Sequence, residues 1–326
     1  MRVGVTGASG HIGNNLVREL LKNGHRVRVL VHNDIRALKG LNVEMVEGNI
    51  LSEKDTDIFT DGLDALFHLA ARIFIGKKHS KKFFAENTEG TKQILRAVAG
   101  QPIRLIHFSS VHAYDPFPLS EPLDETRPLV VNDKYLYNRS KAVTHRMVMD
   151  AFTRSVHGVI LCPTAVLGPG DYKPSLLGEA VLRFARGKMP ALIPGGYDWV
   201  DVRDVVKAAV NLLDTEISGE DFLLSGHWIS LADLYKMIRS LQPHGKNIPV
   251  LPSWLARTGA PFMEAWAALN GREPLYTSGS VTFLKYSHRQ ISHQKATDML
   301  EYHPRPFKET LADTLRWFDE HKITDV

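Results

Sequence analysis

One short segment limits the architectures open to this chain more than any other. Arg2-Val3-Gly4-Val5 is an apolar run of strand character. It leads into Thr6-Gly7-Ala8-Ser9-Gly10-His11-Ile12-Gly13, after which Asn14 to Asn23 carry a helical period. A glycine-rich turn between a strand and a helix is the arrangement that cradles the phosphates of a dinucleotide. Gly7 permits the tight turn, Gly10 lets the backbone approach a pyrophosphate, and Gly13 lets the helix pack close to the strand. Ser9, His11 and Ile12 complete the loop, and the positive end of the following helix favours an anion.

The first half of the chain fits a fold built on such a loop. Short apolar runs at Arg26–Val31, Val43–Val46, Ala65–Leu69, Arg104–Phe108 and Gly158–Cys162 predict strands. Helical periods at Phe83–Ala99 and Tyr137–Phe152 lie between several of them. Alternating strands and helices predict an α/β fold, a Rossmann-type doubly wound parallel sheet with its ligand at the C-terminal strand ends. After Pro163 the alternation is lost, and helical patterns at Leu176–Gly187, Leu231–Leu241 and Phe307–His321 predict a smaller mixed C-terminal, substrate-binding portion. Asp201–Leu213 reads as a helix returning to the main domain, followed by a short strand at Phe222–Leu224. The resulting division is a dinucleotide-binding domain of residues 1–165 plus about 197–225, and a substrate-binding portion of residues 166–196 and 226–326.

A second motif carries chemistry. Tyr137 and Lys141 are four apart in a helical segment, so they share a face. A free tyrosine titrates near ~10, too high for efficient proton transfer at neutral pH, and a nearby ammonium favours the phenolate. Tyr135 is six residues from Lys141 and does not share that face.

The Gly-x-x-Gly-x-x-Gly spacing after Thr6, with Tyr-x-x-x-Lys downstream, resembles the extended branch of the short-chain dehydrogenase/reductase superfamily, the NAD-dependent epimerase/dehydratase family. The resemblance covers nearly the whole chain and implies a hydride-transfer site. In it Tyr137 is the proton donor, Lys141 tunes Tyr137 and holds the nicotinamide ribose, and a serine at the end of the preceding strand stabilises the substrate oxygen. Ser109-Ser110-Val111-His112-Ala113-Tyr114 is similar to the family's Ser-Ser-x-x-x-Tyr, which points to Ser110, with Ser109 as second choice. Asn87-Thr88-Glu89-Gly90-Thr91 resembles a family segment whose asparagine helps organise the site. Gly48-Asn49-Ile50 lies where relatives contact adenine, and His68-Leu69-Ala70-Ala71 where they line the cofactor ribose. Pro163, in Cys162-Pro163-Thr164, lies beside the expected nicotinamide. Cys162 itself reads as a small core residue rather than a nucleophile.

An acidic residue ending the second strand would bind the ribose hydroxyls of NAD. Here that strand ends Leu30-Val31-His32-Asn33. His32 stands where NADP-preferring relatives carry arginine, Arg36 follows, and Asp34 is the nearest carboxylate. The expected cofactor is therefore NADP, with NAD possible.

The substrate is less specified. In Gly195-Gly196-Tyr197-Asp198, Tyr197 takes the place of the arginine with which sugar-nucleotide enzymes of the family grip a diphosphate. The chain's character is closer to the dihydroflavonol-4-reductase-like group, implying reduction of a ketone or aldehyde of an apolar or ring-containing substrate. Trp254, Leu255, Phe262, Met263, Trp266 and Leu269 would line such a pocket or simply form core. A nucleotide-sugar epimerase or dehydratase with tightly bound NAD(P) is the alternative, and a non-enzymatic dinucleotide sensor a third reading. No metal site is expected, because the histidines lack ligand spacing. The formal charge of +4 is spread along the chain, and the run Lys77–Lys82 reads as a solvated face, so neither nucleic acid nor membrane is an expected partner. One cysteine excludes an intrachain disulfide and fits a cytoplasmic setting. A homodimer is possible by the family's habit.

Overall fold

The central strand-forming runs of this chain are buried on both faces, which is what a parallel sheet covered by helices demands. The computed structural model describes residues 1–32, 34–73, 80–189, 191–242, 248–252, 284 and 287–323. Along the first half run β1 (Arg2–Thr6), α1 (His11–Lys22), β2 (Arg26–Val31), β3 (Glu44–Glu47), α2 (Glu53–Thr60), β4 (Ala65–His68), α3 (Ser80–Val98), β5 (Arg104–Phe108), α4 (Leu136–Phe152) and β6 (His157–Pro163). There follow β7 (Ala165–Leu167), α5 (Leu176–Ala185), β8 (Gly196–Asp201), α6 (Val202–Asn211), β9 (Glu220–Leu224), β10 (His227–Ser230), α7 (Leu231–Leu241), α8 (Gln294–Leu300) and α9 (Phe307–Glu320).

Seven strands form the main sheet in the order β3-β2-β1-β4-β5-β6-β9, every neighbouring pair parallel. The expected Rossmann-type architecture is therefore present. The order reverses between β1 and β4, which opens a crevice at the C-terminal strand ends. A second sheet, β10-β8-β7, is mixed: β7 and β8 are parallel, β8 and β10 antiparallel.

The sheet's two faces bury separate cores. Val3, Val5, Phe67, Val159 and Phe222 pack beneath Leu16 and Leu20 of α1 and Val205 and Ala209 of α6. Leu66, Leu105, Ile160 and Leu223 face Ile94 and Val98 of α3 and Ala142 and Val148 of α4. A third cluster joins the small sheet to α5, α7 and α9 through Leu167, Phe184, Trp199, Leu234 and Leu311.

Several elements differ from the sequence expectation. Helix α1 begins at His11, three residues ahead of Asn14, because the glycine loop itself forms its first turn. Helix α2 was not expected. It is short and mostly polar, and Ser52 starts it by accepting the Asp55 amide at 3.3 Å. Residues 196–201 form β8 in the small sheet. The two strands beside it, β7 and β10, are too short to show a period. The segment Trp254–Leu269 and residues Lys77–His79 of the basic run lie outside the described residues. Among the described residues no helix is long and apolar enough to cross a membrane, and no group of three or more potential metal ligands occurs.

Candidate functional site

The glycine loop sits at the reversal of strand order, and its glycines are forced by contact. Gly7 has φ +71°, and a side chain there would come within 2.8 Å of the Ala70 amide nitrogen. At Gly13 a Cβ would collide with the Gly7 carbonyl oxygen and lie 2.9 Å from Ala8 Cα. At Gly10 it would meet only the Gly7 oxygen, at 3.3 Å, so that side of the loop is open. Gly10 caps α1 without a side-chain hydrogen bond, leaving the first amides of the helix for an anion. Ser9, His11 and Ile12 are half-buried around it. The His11 ring does not face outward. Its Nε2 lies 3.1 Å from the carbonyls of both Gly168 and Pro169. Asn14 donates to the Gly170 carbonyl at 2.8 Å and Asn15 to that of Pro169 at 3.1 Å. The loop after β7 is thereby stitched to the first turn of α1.

Thr6 holds the neighbouring wall. Its hydroxyl accepts the amides of Leu69 and Ala70, each at 3.2 Å, and lies 2.8 Å from His68 Nδ1. His68 Nε2 reaches Thr91 at 3.2 Å. Burial pushes the His68 pKa down to about 3, so the ring is neutral, with the Thr6 hydroxyl donating to Nδ1 and Nε2–H donating to Thr91. Asn87 clamps the next stretch. Its Oδ1 accepts the Arg72 amide at 2.8 Å, and its Nδ2 donates to the Arg72 carbonyl at 3.0 Å. Leu69, Ala70 and Ala71 are thus fixed beside Gly7.

At the adenosine end, Asn49 is exposed and its amide donates to Asp55 at 2.8 Å, while Ile50 packs on Gly90. His32 is exposed. Arg36 does not stand alone: its Nε and Nη2 bind the two oxygens of Asp34 at 3.0 and 2.7 Å. That guanidinium holds the Asp34 carboxyl down to about 2. The nearest carboxylate, Asp34, is therefore the partner of the expected phosphate ligand.

The reactive groups meet across the crevice. Asp133 prepares the start of α4, accepting from the Tyr135 amide and from Asn138 Nδ2, each at 2.8 Å. Tyr137 then lies at the end of β5, where the Ser110 hydroxyl is near enough to favour its phenolate. Burial drives the Tyr137 pKa up to about 12, with Ser110 pulling it the other way. Lys141 is buried and donates to the Phe108 carbonyl at 3.1 Å, and burial lowers its pKa to about 8. The His112 ring stands edge-on to Tyr137, centroids 5.8 Å apart, and its amide donates to Ser110 Oγ at 3.2 Å. Pro163 ends β6, paired with Leu224. Cys162 is fully buried and burial pushes its thiol up, the behaviour of a core residue. Tyr197 stacks edge-on against Trp199 at 5.7 Å, and Arg203 is taken up by Asp201 and Asp313, both at 2.7 Å. What the sequence did not reveal is the tie of His68 to Thr6 and Thr91, the clasp at Gly168–Gly170, and a buried group around His145 beneath α4.

Residues 3–225 match the model of the NAD dependent epimerase/dehydratase family, and the chain belongs to that family. It is 30% identical over 321 residues to "Sterol demethylase protein B" of Methylococcus capsulatus, covering 97% of this chain and 98% of that protein. It is 32% identical over 332 residues to "Putative dihydroflavonol 4-reductase" of Synechocystis sp., covering 97% and 94%. Among solved structures, the crystal structure of gox2253 superposes with a TM-score of 0.84 at 29% identity, covering 98% of each chain. The expected class, an NAD(P)-dependent oxidoreductase, stands on this membership.

Proposed function

We propose that this protein reduces a ketone or aldehyde with NADPH, using Ser110, Tyr137 and Lys141. The observation that carries the reading is the placement of Tyr137 and Ser110 together against His112, with Lys141 one turn along α4. The loop fits a dinucleotide: side chains at Gly7 and Gly13 would strike backbone, whereas Gly10 leaves room for a pyrophosphate. Gly7, Ser9, Gly10, His11, Ile12 and Gly13 would hold the phosphates, Asn49 and Ile50 the adenine, and Leu69, Ala70, Ala71 and Pro163 the ribose and nicotinamide. When bound, the dinucleotide supplies the hydride.

The remaining chemistry belongs to the chain. Tyr137 gives its phenolic proton to the carbonyl oxygen as negative charge develops there. Ser110 donates a hydrogen bond to the same oxygen. Lys141, held by the Phe108 carbonyl, sets its ammonium against the phenolate that Tyr137 becomes, which lowers the cost of proton release. In the reverse direction Tyr137 accepts the proton from an alcohol.

NADP is the finer choice, because Arg36 supplies a cationic neighbour for a 2′-phosphate and His32 a ring that can hydrogen-bond it. Asp34 offsets Arg36, so the expected preference over NADH is modest, about tenfold (~1.4 kcal/mol). A nucleotide sugar is disfavoured, since Tyr197 offers no charge and Arg203 is committed to two aspartates. The names of the two relatives favour an apolar, ring-containing carbonyl compound. A cytoplasmic homodimer completes the reading, with the small sheet and α5, α7 and α9 as the substrate-binding portion. The test is NADPH consumption across a panel of cyclic ketones and aldehydes, with UDP- and dTDP-sugars beside it. Turnover of the sugars alone would overturn the proposal.

A further inference from the structure

The sheet face beneath α4 holds a buried polar group that the proposed chemistry does not touch. His145 follows Lys141 by one turn and is 1% exposed. Its Nδ1 lies 3.2 Å from Ser109 Oγ, and its Nε2 lies 3.1 Å from Asp221 Oδ2 on β9. The same Asp221 oxygen accepts the Tyr114 hydroxyl at 2.5 Å, and Lys295 Nζ stands 3.3 Å from the other oxygen. Cys162 closes the group, its sulfur 3.6 Å from the Tyr114 oxygen and 3.8 Å from His145 Nδ1. Glu220 pairs with Lys295 at 2.8 Å, Glu125 accepts the Leu223 amide at 2.7 Å, and the His107 ring borders His145 from β5.

These contacts fix one hydrogen. Burial opposes ionisation of Asp221, but bonds from His145 and Tyr114 outweigh it and hold the pKa down to about 2. An ionised carboxylate only accepts, so Nε2 carries a proton toward Asp221. The other ring nitrogen, Nδ1, is left to the Ser109 hydroxyl. The order serine, histidine, aspartate resembles an acyl-transfer triad. Ser109 is 5% exposed beneath α4, however, so it has no access to a substrate. What the arrangement does fix is direction. Ser109 is also tied by its amide to the Leu161 carbonyl at 2.8 Å. Its neighbour Ser110 is extended, φ −164° and ψ 154°, and consecutive side chains of extended backbone point to opposite sides. Pulling Ser109 down onto His145 turns Ser110 up toward Tyr137.

We infer that His145, clamped between Asp221 and Ser109, is a positioning residue for the Ser110–Tyr137 pair. The inference rests on the reading of that pair as the proton-transfer site. Among the groups near Tyr137 are Ser110 from the end of β5 and His112 from the turn after it, with Lys141 one turn along α4.

The experiment uses Ser109→Ala, His145→Asn and His145→Gln in the full-length protein. Asparagine keeps a polar atom near the place of Nδ1, and glutamine near that of Nε2, so only the first retains the tie to Ser109. We expect Ser109→Ala and His145→Gln to lose roughly tenfold in kcat, less than the ~100-fold typical of removing a direct oxyanion donor, with KM for NADPH unchanged. His145→Asn should retain most of the rate. The midpoint of Tyr137 titration, followed by carbon-13 tyrosine NMR on the NADP-bound protein with Tyr137→Phe for assignment, should move upward in the two impaired variants. Wild-type rates and midpoints in Ser109→Ala, the mildest variant, would overturn the inference. If the midpoint moves but no carbonyl compound is turned over by the wild type, the functional proposal fails and the positioning role stands.

Discussion

Replacing Gly13 and Gly10 separately by alanine divides the two tasks of the glycine loop. A methyl group at Gly13 strikes the Gly7 carbonyl and sits 2.9 Å from Ala8 Cα, all of it backbone that cannot rotate away. Overpacking of this kind costs about 1–3 kcal/mol, offset by up to ~1 kcal/mol of better helix propensity. The net loss, about 2 kcal/mol, lowers the melting midpoint of a chain this size by about 3 °C. At Gly10 the methyl meets only the Gly7 oxygen at 3.3 Å, and the backbone, φ −74° and ψ 171°, suits any residue. Gly10→Ala should therefore melt with the wild type, within ~2 °C. It puts carbon where the pyrophosphate approaches, and should weaken NADPH binding at least tenfold (~1.4 kcal/mol). Thermal denaturation without cofactor and a fluorescence titration with NADPH read the two effects apart. Wild-type affinity in Gly10→Ala would refute the assignment of the loop, and wild-type stability in Gly13→Ala would refute the packing argument.

The other predictions concern the crevice. Tyr137→Phe should abolish carbonyl reduction while leaving NADPH affinity within about twofold; substantial turnover by this variant would remove Tyr137 from the mechanism. The Lys141 pKa is depressed to about 8 from an ordinary value of 10.5, so below pH 8 the folded chain carries a buried ammonium at a cost, which is relieved as pH rises through that window. Lys141→Met should accordingly stabilise the cofactor-free protein near neutral pH, by an amount that shrinks above pH 8, as denaturant melts at several pH values would read. Asp34→Asn should strengthen NADPH binding and leave NADH unchanged, because it frees the Arg36 fork; equal response of both cofactors would mean that Arg36 makes no phosphate contact.

Elements with strong local signals were legible at their true bounds. Arg26–Val31, Arg104–Phe108 and Leu231–Leu241 coincide with β2, β5 and α7, each an apolar pattern bounded by turn or cap residues. Helix α2 was not, because only Thr56, Phe59 and Thr60 are buried and its first turn is acidic. The meeting of Ser110, Tyr137 and Lys141 could be anticipated from spacing and family resemblance; their work there is still a proposal. His145 was passed over because a lone histidine in a helix is usually core. Its signal was its position four beyond Lys141, together with an inward-facing Asp221 in a strand that local sequence cannot pair with it. The Asp34–Arg36 fork was missed for a simpler reason: two residues of separation do not reveal which way side chains turn in a loop.

The clasp between α1 and Gly168–Gly170 has a consequence for how the molecule matures. His11 and the Gly168 carbonyl are 157 positions apart in sequence, so the first turn of the first helix is finished by a segment from the middle of the chain. Loop closure over such a span comes late, after the local strand–helix units have formed. The glycine turn would then be among the last parts of the chain to acquire its final form. A dinucleotide that binds only the finished turn would act on the last stage of folding, and through it tie the stability of the N-terminal strands to that of the loop beyond β7.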